Sequence, residues 1–144
     1  MQLSKESRLV SGVILLTIPT IMYGGITLLS ILTQGAVGFG GNITLDEAQF
    51  ALWRAGHAHA GVWVILSIVI QLLIDSSKLS SANKWIARIS APLAAIAVPG
   101  GFFGLAFLPG FRWLIYFGVL SLLVSLLLTG IGLLRNLHTS ELQT

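Results

Sequence analysis

The sequence predicts an all-α protein, a bundle of four helices that spans a lipid bilayer. Only 9% of the 144 residues are charged, whereas 55% are hydrophobic. Soluble domains carry about 25% charged residues, which cover their surface, so this chain cannot form an ordinary globule in water. Four apolar runs, each near the ~20 residues that cross ~30 Å of hydrocarbon, give the number of helices. They cover residues 9–32, 50–74, 85–108 and 111–134.

The length and charge of the chain exclude several classes of protein. At 144 residues it has the size of one domain, so we expect a single four-helix transmembrane domain over residues 1–144, without a separate nucleotide-binding module. A net charge of +3 gives too little basic surface to bind nucleic acid. Because the chain has no cysteine, it can form neither a disulfide framework nor a thiolate metal site.

The first helix is expected to stay in the mature protein. Lys5 and Arg8 precede its apolar run, as in a signal peptide, but the run is far longer than the ~7–15 residues of a signal-peptide core. Several glycines within residues 34–42 predict a loop after it. Thr44 and Glu47 then have the spacing of a capping box, which would open the second helix.

The later connections are short. Residues 75–84 are polar and rich in serine, and the Pro-Gly pair at 109–110 predicts a tight turn between the third and fourth helices. The third helix contains Pro92 and a Pro-Gly-Gly string at 99–101. Proline removes a backbone donor and clashes with the preceding turn. We therefore expect the third helix to be interrupted at these positions by kinks or local unwinding.

Positive charge is unevenly divided between the two ends of this four-helix arrangement. Of the eight Lys and Arg residues, six fall on one side and two on the other. The six are Lys5, Arg8, Lys78, Lys84, Arg88 and Arg135, and the two are Arg54 and Arg112. By the positive-inside rule, both termini then lie in the cytoplasm, and the chain crosses an inner or plasma membrane four times.

The segment most informative about function lies early in the second helix, where residues 53–61 are Trp-Arg-Ala-Gly-His-Ala-His-Ala-Gly. Counting from Phe50 at about 1.5 Å per residue places His59 roughly 14 Å into a core ~30 Å thick, close to mid-membrane. Ionisable side chains at this depth are costly and mark functional sites or water-filled cavities. At about 100° per residue, His57 and His59 point roughly 200° apart, so one uninterrupted helix cannot chelate a single ion with both.

Three interpretations of the histidine pair remain open at this point. One imidazole is sufficient to hold haem iron, and the small residues around the pair leave a flat helix surface on which a porphyrin could lie. These small residues are Ala55, Gly56, Ala58, Ala60 and Gly61. Alternatively, the small residues allow close helix packing while the histidines form interhelical hydrogen bonds. The third interpretation is a proton or ion pathway.

Two neighbours of the pair extend these interpretations. Trp63 lies on the face of His59, at i+4. Arg54 lies one turn before His57 on the same face, where it could pair with a haem propionate or a substrate anion. The alternative for Arg54 is a side chain that extends its charge to the lipid headgroups.

Aromatic residues on the other helices are further candidates. Phe102, Phe103 and Phe107 follow the Pro-Gly-Gly string, where they could line an apolar ligand pocket or face lipid. A buried phenol needs a hydrogen-bond partner. Tyr23 and Tyr116 are therefore expected to form interhelical hydrogen bonds or to line a polar pocket.

The segment Ala58-His59-Ala60-Gly61, preceded by Trp53 and Arg54, resembles a motif of styrene oxide isomerase and related small four-helix membrane proteins. The resemblance implies that His59 is the axial ligand of haem b, with His57 as the alternative. It also implies a homotrimer with haem between neighbouring subunits. Ferric iron would then act as a Lewis acid on the oxygen of a small apolar epoxide, which rearranges to a carbonyl compound. The candidate cofactor-binding residues are His59, His57, Arg54, Gly56, Ala60 and Trp63.

Two other functions compete with the isomerase. An intramembrane His-x-His followed by a small residue is also similar to segments of the haem–copper oxidase superfamily, which is consistent with a noncatalytic haem protein for electron transfer or gas sensing. The other competitor is a haem-free small transporter or assembly subunit, whose histidines form hydrogen bonds or relay protons.

Overall fold

The computed structural model describes residues 3–38 and 43–141, with side chains described as far as residue 135. It contains four long helices, which confirms the predicted all-α bundle, and each is long and apolar enough to cross a membrane. They are α1 (Lys5–Leu32), α2 (Glu47–Ile74), α3 (Ser81–Leu105) and α4 (Arg112–Glu141). The predicted turn before α4 takes the form of a short 3₁₀ helix over Pro109–Phe111. Residues 39–42 of the predicted loop lie outside the described residues.

The capping box of α2 lies two residues later than the sequence predicts. Asp46 is the N-cap: its side chain accepts the Gln49 backbone N–H at 2.8 Å, and the Gln49 side chain accepts the Asp46 N–H at 3.0 Å. The assignment to Thr44 and Glu47 is therefore wrong, although both pairs have the required spacing. Gln49 Nε2 also donates to the carbonyl of Ala106, next to the end of α3, at 3.1 Å. This tertiary bond favours the later pair.

The local unwinding predicted in α3 does not occur, because the helix runs continuously through Pro92 and Pro99. Pro92 has no N–H to donate to the carbonyl of Arg88, one turn earlier. Gln71 of α2 replaces that donor, since its Nε2 lies 3.0 Å from the Arg88 carbonyl oxygen. A hydrogen bond from a neighbouring helix thus satisfies the group that proline leaves free.

Small residues let α3 pack closely against its neighbours at the centre of the bundle. Its buried side chains are mostly alanines, and a Cβ added to Gly101 would meet Ile115 of α4 at 2.5 Å. α3 packs extensively on α2 and α4, whereas α1 packs mainly on α2. Large apolar side chains point outward; Leu16 and Ile96, for example, are 81% and 70% exposed. Such an arrangement is expected of helices that pack through small residues and face lipid.

A buried polar group, here called the Arg88 cluster, joins three helices at one end of the bundle. It consists of Ser4, Ser7, Asp75 and Arg88. The Asp75 carboxylate forms an ion pair with Arg88 and accepts the backbone N–H and the hydroxyl of Ser4, both at 2.9 Å. Burial alone would raise the pKa of Asp75, but the hydrogen bonds from Ser4 and Ser7 and the charge of Arg88 outweigh it and hold that pKa below its usual value.

The Arg88 cluster also fixes which chain segments share an end of the bundle. Ser4, before α1, contacts Asp75, after α2. In the same connection, the Lys78 N–H donates to the carbonyl of Gly132 in α4 at 2.9 Å. The start of α1, the segment 75–80 and the late part of α4 therefore lie together, as a four-pass arrangement requires.

Candidate functional site

The two histidines lie in the first half of α2 and contact different helices. His57 faces α1, where Gly24 and Gly25 are its neighbours, and His59 faces α3, where it contacts Phe102. Helical geometry rather than any distortion separates them, because α2 is unbroken across this region. The two imidazoles therefore belong to two different sites.

His59 is held by three contacts. Its Nδ1 lies 2.7 Å from the carbonyl oxygen of Ala55, one turn earlier. Its ring stacks on Phe102, with centroids 5.0 Å apart and planes inclined by 29°, and it forms a T-shaped contact with the Trp63 ring, with centroids 5.5 Å apart. The predicted proximity of Trp63 is confirmed, whereas the stack on Phe102 is a tertiary contact that spacing along α2 could not reveal. Together these contacts fix the direction of the ring.

The second nitrogen of His59 has no such partner. A carbonyl oxygen can only accept, so Nδ1 donates in this hydrogen bond, and in the neutral imidazole Nε2 is then the nitrogen with the lone pair. Within the described part of the chain, Nε2 forms no hydrogen bond, and the side chain is only half-buried. A histidine whose Nδ1–H is bonded to a carbonyl while Nε2 stays free has the arrangement that metal-binding histidines use.

His57 lies against the backbone of α1. A Cβ added to Gly25 would be 3.2 Å from His57 Nε2, and one added to Gly24 would be 3.5 Å from Nδ1. The two glycines therefore make room for the imidazole between the helices. No residue of the described ranges forms a hydrogen bond to either nitrogen of His57. At this depth, an imidazole without partners is a costly group.

Two cavities lie beside His57. The long cavity, of about 310 Å³, lies between α1, α2 and α3 and extends from Gly24 and His57 to Val13 and Ser67. The Arg54 cavity, of about 470 Å³, lies between α1 and α2 and is lined by Leu28, Leu29, Leu32, Phe50, Arg54 and His57. The structure thus brings Arg54 together with His57, as their spacing predicts.

The small residues of α2 do not form one open surface. Gly56 is buried beneath α3, where an added Cβ would lie 3.0 Å from the ring of Phe103. Ala60 is 9% exposed and lines the long cavity, whereas Ala58 is exposed. The expected flat platform for a porphyrin is therefore divided between three environments, because neighbouring helices cover two of its sides.

Phenylalanines at the end of α3 and in the connection after it pack on the start of α2. The rings of Phe103 and Phe107 form T-shaped contacts with Trp53, with centroids 5.6 and 6.2 Å apart. The interhelical hydrogen bonds expected of the tyrosines are not formed: Tyr23 and Tyr116 are 60% and 59% exposed, and neither hydroxyl forms a hydrogen bond within the described ranges. Tyr23 does line a further cavity, of about 450 Å³, that also includes Trp53.

Few side chains that could bind a metal ion lie near one another in the described part of the bundle. Within residues 3–38 and 43–141, no three His, Cys, Asp or Glu side chains are grouped as they are around a metal ion. What the described residues offer is a single oriented imidazole, which is the ligand that haem needs.

Comparisons with protein-family models, with curated proteins and with solved structures gave no match to this chain. The resemblance of residues 53–61 to an isomerase motif therefore stands on those residues alone.

Proposed function

We propose that the protein is a membrane haem protein in which Nε2 of His59 binds the iron of haem b, and that it isomerises small apolar epoxides. The observation that carries this proposal is the state of the His59 ring. Its Nδ1 is bonded to the Ala55 carbonyl, while Nε2 lacks a partner in the described part of the chain. A free imidazole nitrogen at mid-membrane is stabilised once it binds a metal centre.

Residues around His59 support a ligand role. The Ala55 carbonyl holds Nδ1 as the hydrogen-bond donor, which leaves Nε2 as the nitrogen that can bind a metal. The ring of Phe102 on one face and the edge of Trp63 restrict rotation of the imidazole, so Nε2 keeps one direction. A ligand oriented before binding loses less conformational entropy when the cofactor arrives.

The position of His59 favours a site shared between subunits. His59 lines neither the long cavity nor the Arg54 cavity. A haem on this histidine would therefore be covered from outside the protomer. Val62, at i+3 from His59, is 62% exposed and adds apolar surface nearby. A homotrimer, which the resemblance implies, would supply the cover that one protomer lacks.

The proposed chemistry needs an electrophile that the side chains do not provide. Bound ferric haem would supply a Lewis acid for the epoxide oxygen. The chain contributes an apolar, water-poor surrounding, in which an epoxide is not hydrolysed. The indole of Trp63, beside His59, could stabilise positive charge that develops on the substrate carbon. No external reductant takes part, since isomerisation leaves the oxidation level of the substrate unchanged.

Absorption spectroscopy of variants tests haem binding. We expect a Soret band from protein purified in mild detergent, its loss in His59→Gly, and its return when free imidazole is added to that variant. Rescue by imidazole separates a ligand role from a folding role, because imidazole cannot repair a misfolded bundle. His57→Gly is the matched control and should keep its haem. Loss of haem in His57→Gly, with retention in His59→Gly, would reverse the assignment.

Product analysis then tests the isomerase activity. Styrene oxide and aliphatic epoxides are incubated with the ferric protein without NADH or another reductant, and carbonyl products are measured by gas chromatography. Turnover should fall when dithionite reduces the iron, because ferrous iron is the weaker Lewis acid. A six-coordinate spectrum together with no turnover would instead favour the noncatalytic haem protein, for electron transfer or sensing.

The proposed orientation places both termini and the segment 75–80 in the cytoplasm. It follows from the excess of Lys and Arg at that end, although one of those residues, Arg88, is neutralised by Asp75. Ala82→Cys and Ala36→Cys place exposed thiols at opposite ends of the bundle. A membrane-impermeant reagent added to intact cells should label position 36 and not position 82. The opposite labelling would invert the orientation.

A further inference from the structure

We infer that the interface of α1 and α2 binds a single-chain amphiphile, with its carboxylate at Arg54 and His57 and its alkyl chain in the long cavity. This site lies on the opposite side of α2 from His59. It does not depend on the proposed haem or on isomerase activity.

Two polar groups define the head of the site. Arg54 lines the Arg54 cavity, and its guanidinium carbon lies 5.9 Å from the centre of the Phe50 ring. Arg54 forms no ion pair with any described residue, so its charge meets no carboxylate in the described part of the chain. A guanidinium presents a fork of donors that matches a carboxylate.

His57 supplies the second group of the head. It lines the same cavity as Arg54, and neither of its nitrogens has a hydrogen-bond partner in the described ranges. A ligand oxygen at this position would satisfy an imidazole N–H that the protein leaves without a partner. Because leaving a polar group unsatisfied is costly, an occupied site is more stable here than an empty one.

The long cavity is suited to a hydrocarbon chain. Its three hydroxyls are already used inside their own helices: Thr17 donates to Ile14 at 2.7 Å, Thr20 to Thr17 at 2.6 Å and Ser67 to Trp63 at 2.7 Å. The remaining lining is almost entirely apolar. The cavity therefore offers no free hydroxyl hydrogen to a polar ligand and favours an apolar one.

The shape of the long cavity favours one chain over a flat cofactor. From His57 to Ser67 the rise along α2 is about 15 Å. The volume of 310 Å³ spread over that length leaves a cross-section on the order of 20 Å². A long space of small cross-section suits an extended alkyl chain. Ile96 and Val13, which line it and are 70% and 57% exposed, mark its side toward the bilayer, from which a chain could enter.

Dodecanoate is the probe for this site. Radiolabelled dodecanoate is titrated into the full chain in phosphatidylcholine nanodiscs, with empty nanodiscs as the blank, and dodecanol serves as the neutral analogue. We expect saturable binding of dodecanoate and at least ~10-fold weaker binding of dodecanol, since a charge-assisted hydrogen bond is lost. A shift of the ¹⁵N resonances of His57 on titration gives a second readout.

Matched variants test the head and the chain separately. Arg54→Gln should weaken binding about 10-fold, whereas Arg112→Gln, which removes another cation placed over an aromatic ring, should leave it unchanged. Ala60→Leu, which fills the long cavity, should abolish binding, whereas Ala58→Leu on the exposed side should not. Each variant is compared at equal helix content by circular dichroism.

The inference would be overturned by equal binding of dodecanol and dodecanoate, or by equal effects of the two arginine variants. Displacement of dodecanoate by equimolar phosphatidylglycerol would also overturn it, because it would identify a site for membrane lipid. Failure of this inference is distinguishable from failure of the haem proposal. Dodecanoate binding should persist in His59→Gly, which lacks the proposed haem ligand, whereas a failure of dodecanoate to bind leaves the expected Soret band of the unaltered protein as it is.

Discussion

The Arg88 cluster and the histidine pair are two polar groups inside the same apolar bundle, yet they differ in how completely they are bonded. In the Arg88 cluster, Asp75 and Arg88 neutralise each other, and the hydroxyls of Ser4 and Ser7 form further hydrogen bonds with them. In the histidine pair, His57 has no hydrogen-bond partner and His59 has one, among the described residues.

The difference separates structure from function in a membrane protein. A polar group whose members bond to one another within the bundle makes its helices depend on each other, because removing one member leaves another unsatisfied. A polar group with bonds left over carries a cost that a ligand can remove. By this criterion the Arg88 cluster connects helices, whereas each histidine is a candidate ligand-binding group.

Breaking the ion pair should have the largest effect. Arg88→Met leaves the Asp75 carboxylate nearly buried without its cation, and we expect a loss of about 3–5 kcal/mol in the free energy of unfolding. Unfolding in mixed micelles with increasing SDS, followed by circular dichroism, measures it. The double variant Asp75→Asn, Arg88→Met should recover much of the loss. The control is Lys78→Gln, an exposed position; an equal loss there would remove the contrast.

Acid should weaken the same cluster in part. The pKa of Asp75 is lowered in the folded protein, so its ionised form adds stability above the pKa of the unfolded chain. That contribution is lost as pH falls through the folded pKa. Unfolding measured between pH 7 and pH 3 should show stability decreasing at the acid end, and Asp75→Asn should flatten the curve. A profile unchanged by Asp75→Asn would contradict the assigned role.

Replacing each histidine of the pair by leucine tests whether the hydrogen bonds made within the bundle determine its contribution to stability. In haem-free protein, His59→Leu should lower the free energy of unfolding by about 1–2 kcal/mol, because it removes the bond to Ala55 and the stack on Phe102. His57→Leu should leave stability unchanged or raise it by about 1 kcal/mol, because it removes a group without partners. The same SDS titration measures both. Similar losses in the two variants would show that bonding within the bundle does not distinguish these histidines.

The smallest effect is expected at Gln71. Gln71→Leu removes the donor for the Arg88 carbonyl that Pro92 leaves free, at a cost of about 1 kcal/mol. In a Pro92→Ala background, the restored backbone N–H should take over that carbonyl, so the same substitution should cost less. A double-mutant cycle from four unfolding curves gives the coupling between the two positions. Additive effects would mean that Gln71 does not compensate for the proline.

The local sequence pattern was sufficient to predict the helices but not the residues at which they are capped. Four apolar runs predicted four helices, and the 100° step per residue placed His57 and His59 on different sides of α2. The capping box was misassigned because Thr44 and Asp46 both have the required spacing. A bond from Gln49 to Ala106 decides between them, and that bond depends on where α3 ends.

The sequence by itself determined an all-α, membrane-sized bundle, the separation of the two imidazoles and the contact of His59 with Trp63, because these follow from hydropathy and from the period of one helix. Only the tertiary structure decided which helix faces each histidine. It also decided that Gln71 donates to the Arg88 carbonyl that Pro92 leaves free, and that Arg88 is buried against Asp75. The physical reason is range. Propensity and period act over a few residues of one helix, whereas hydrogen bonds between helices join groups that are distant in the chain, and only the packed bundle assigns their partners.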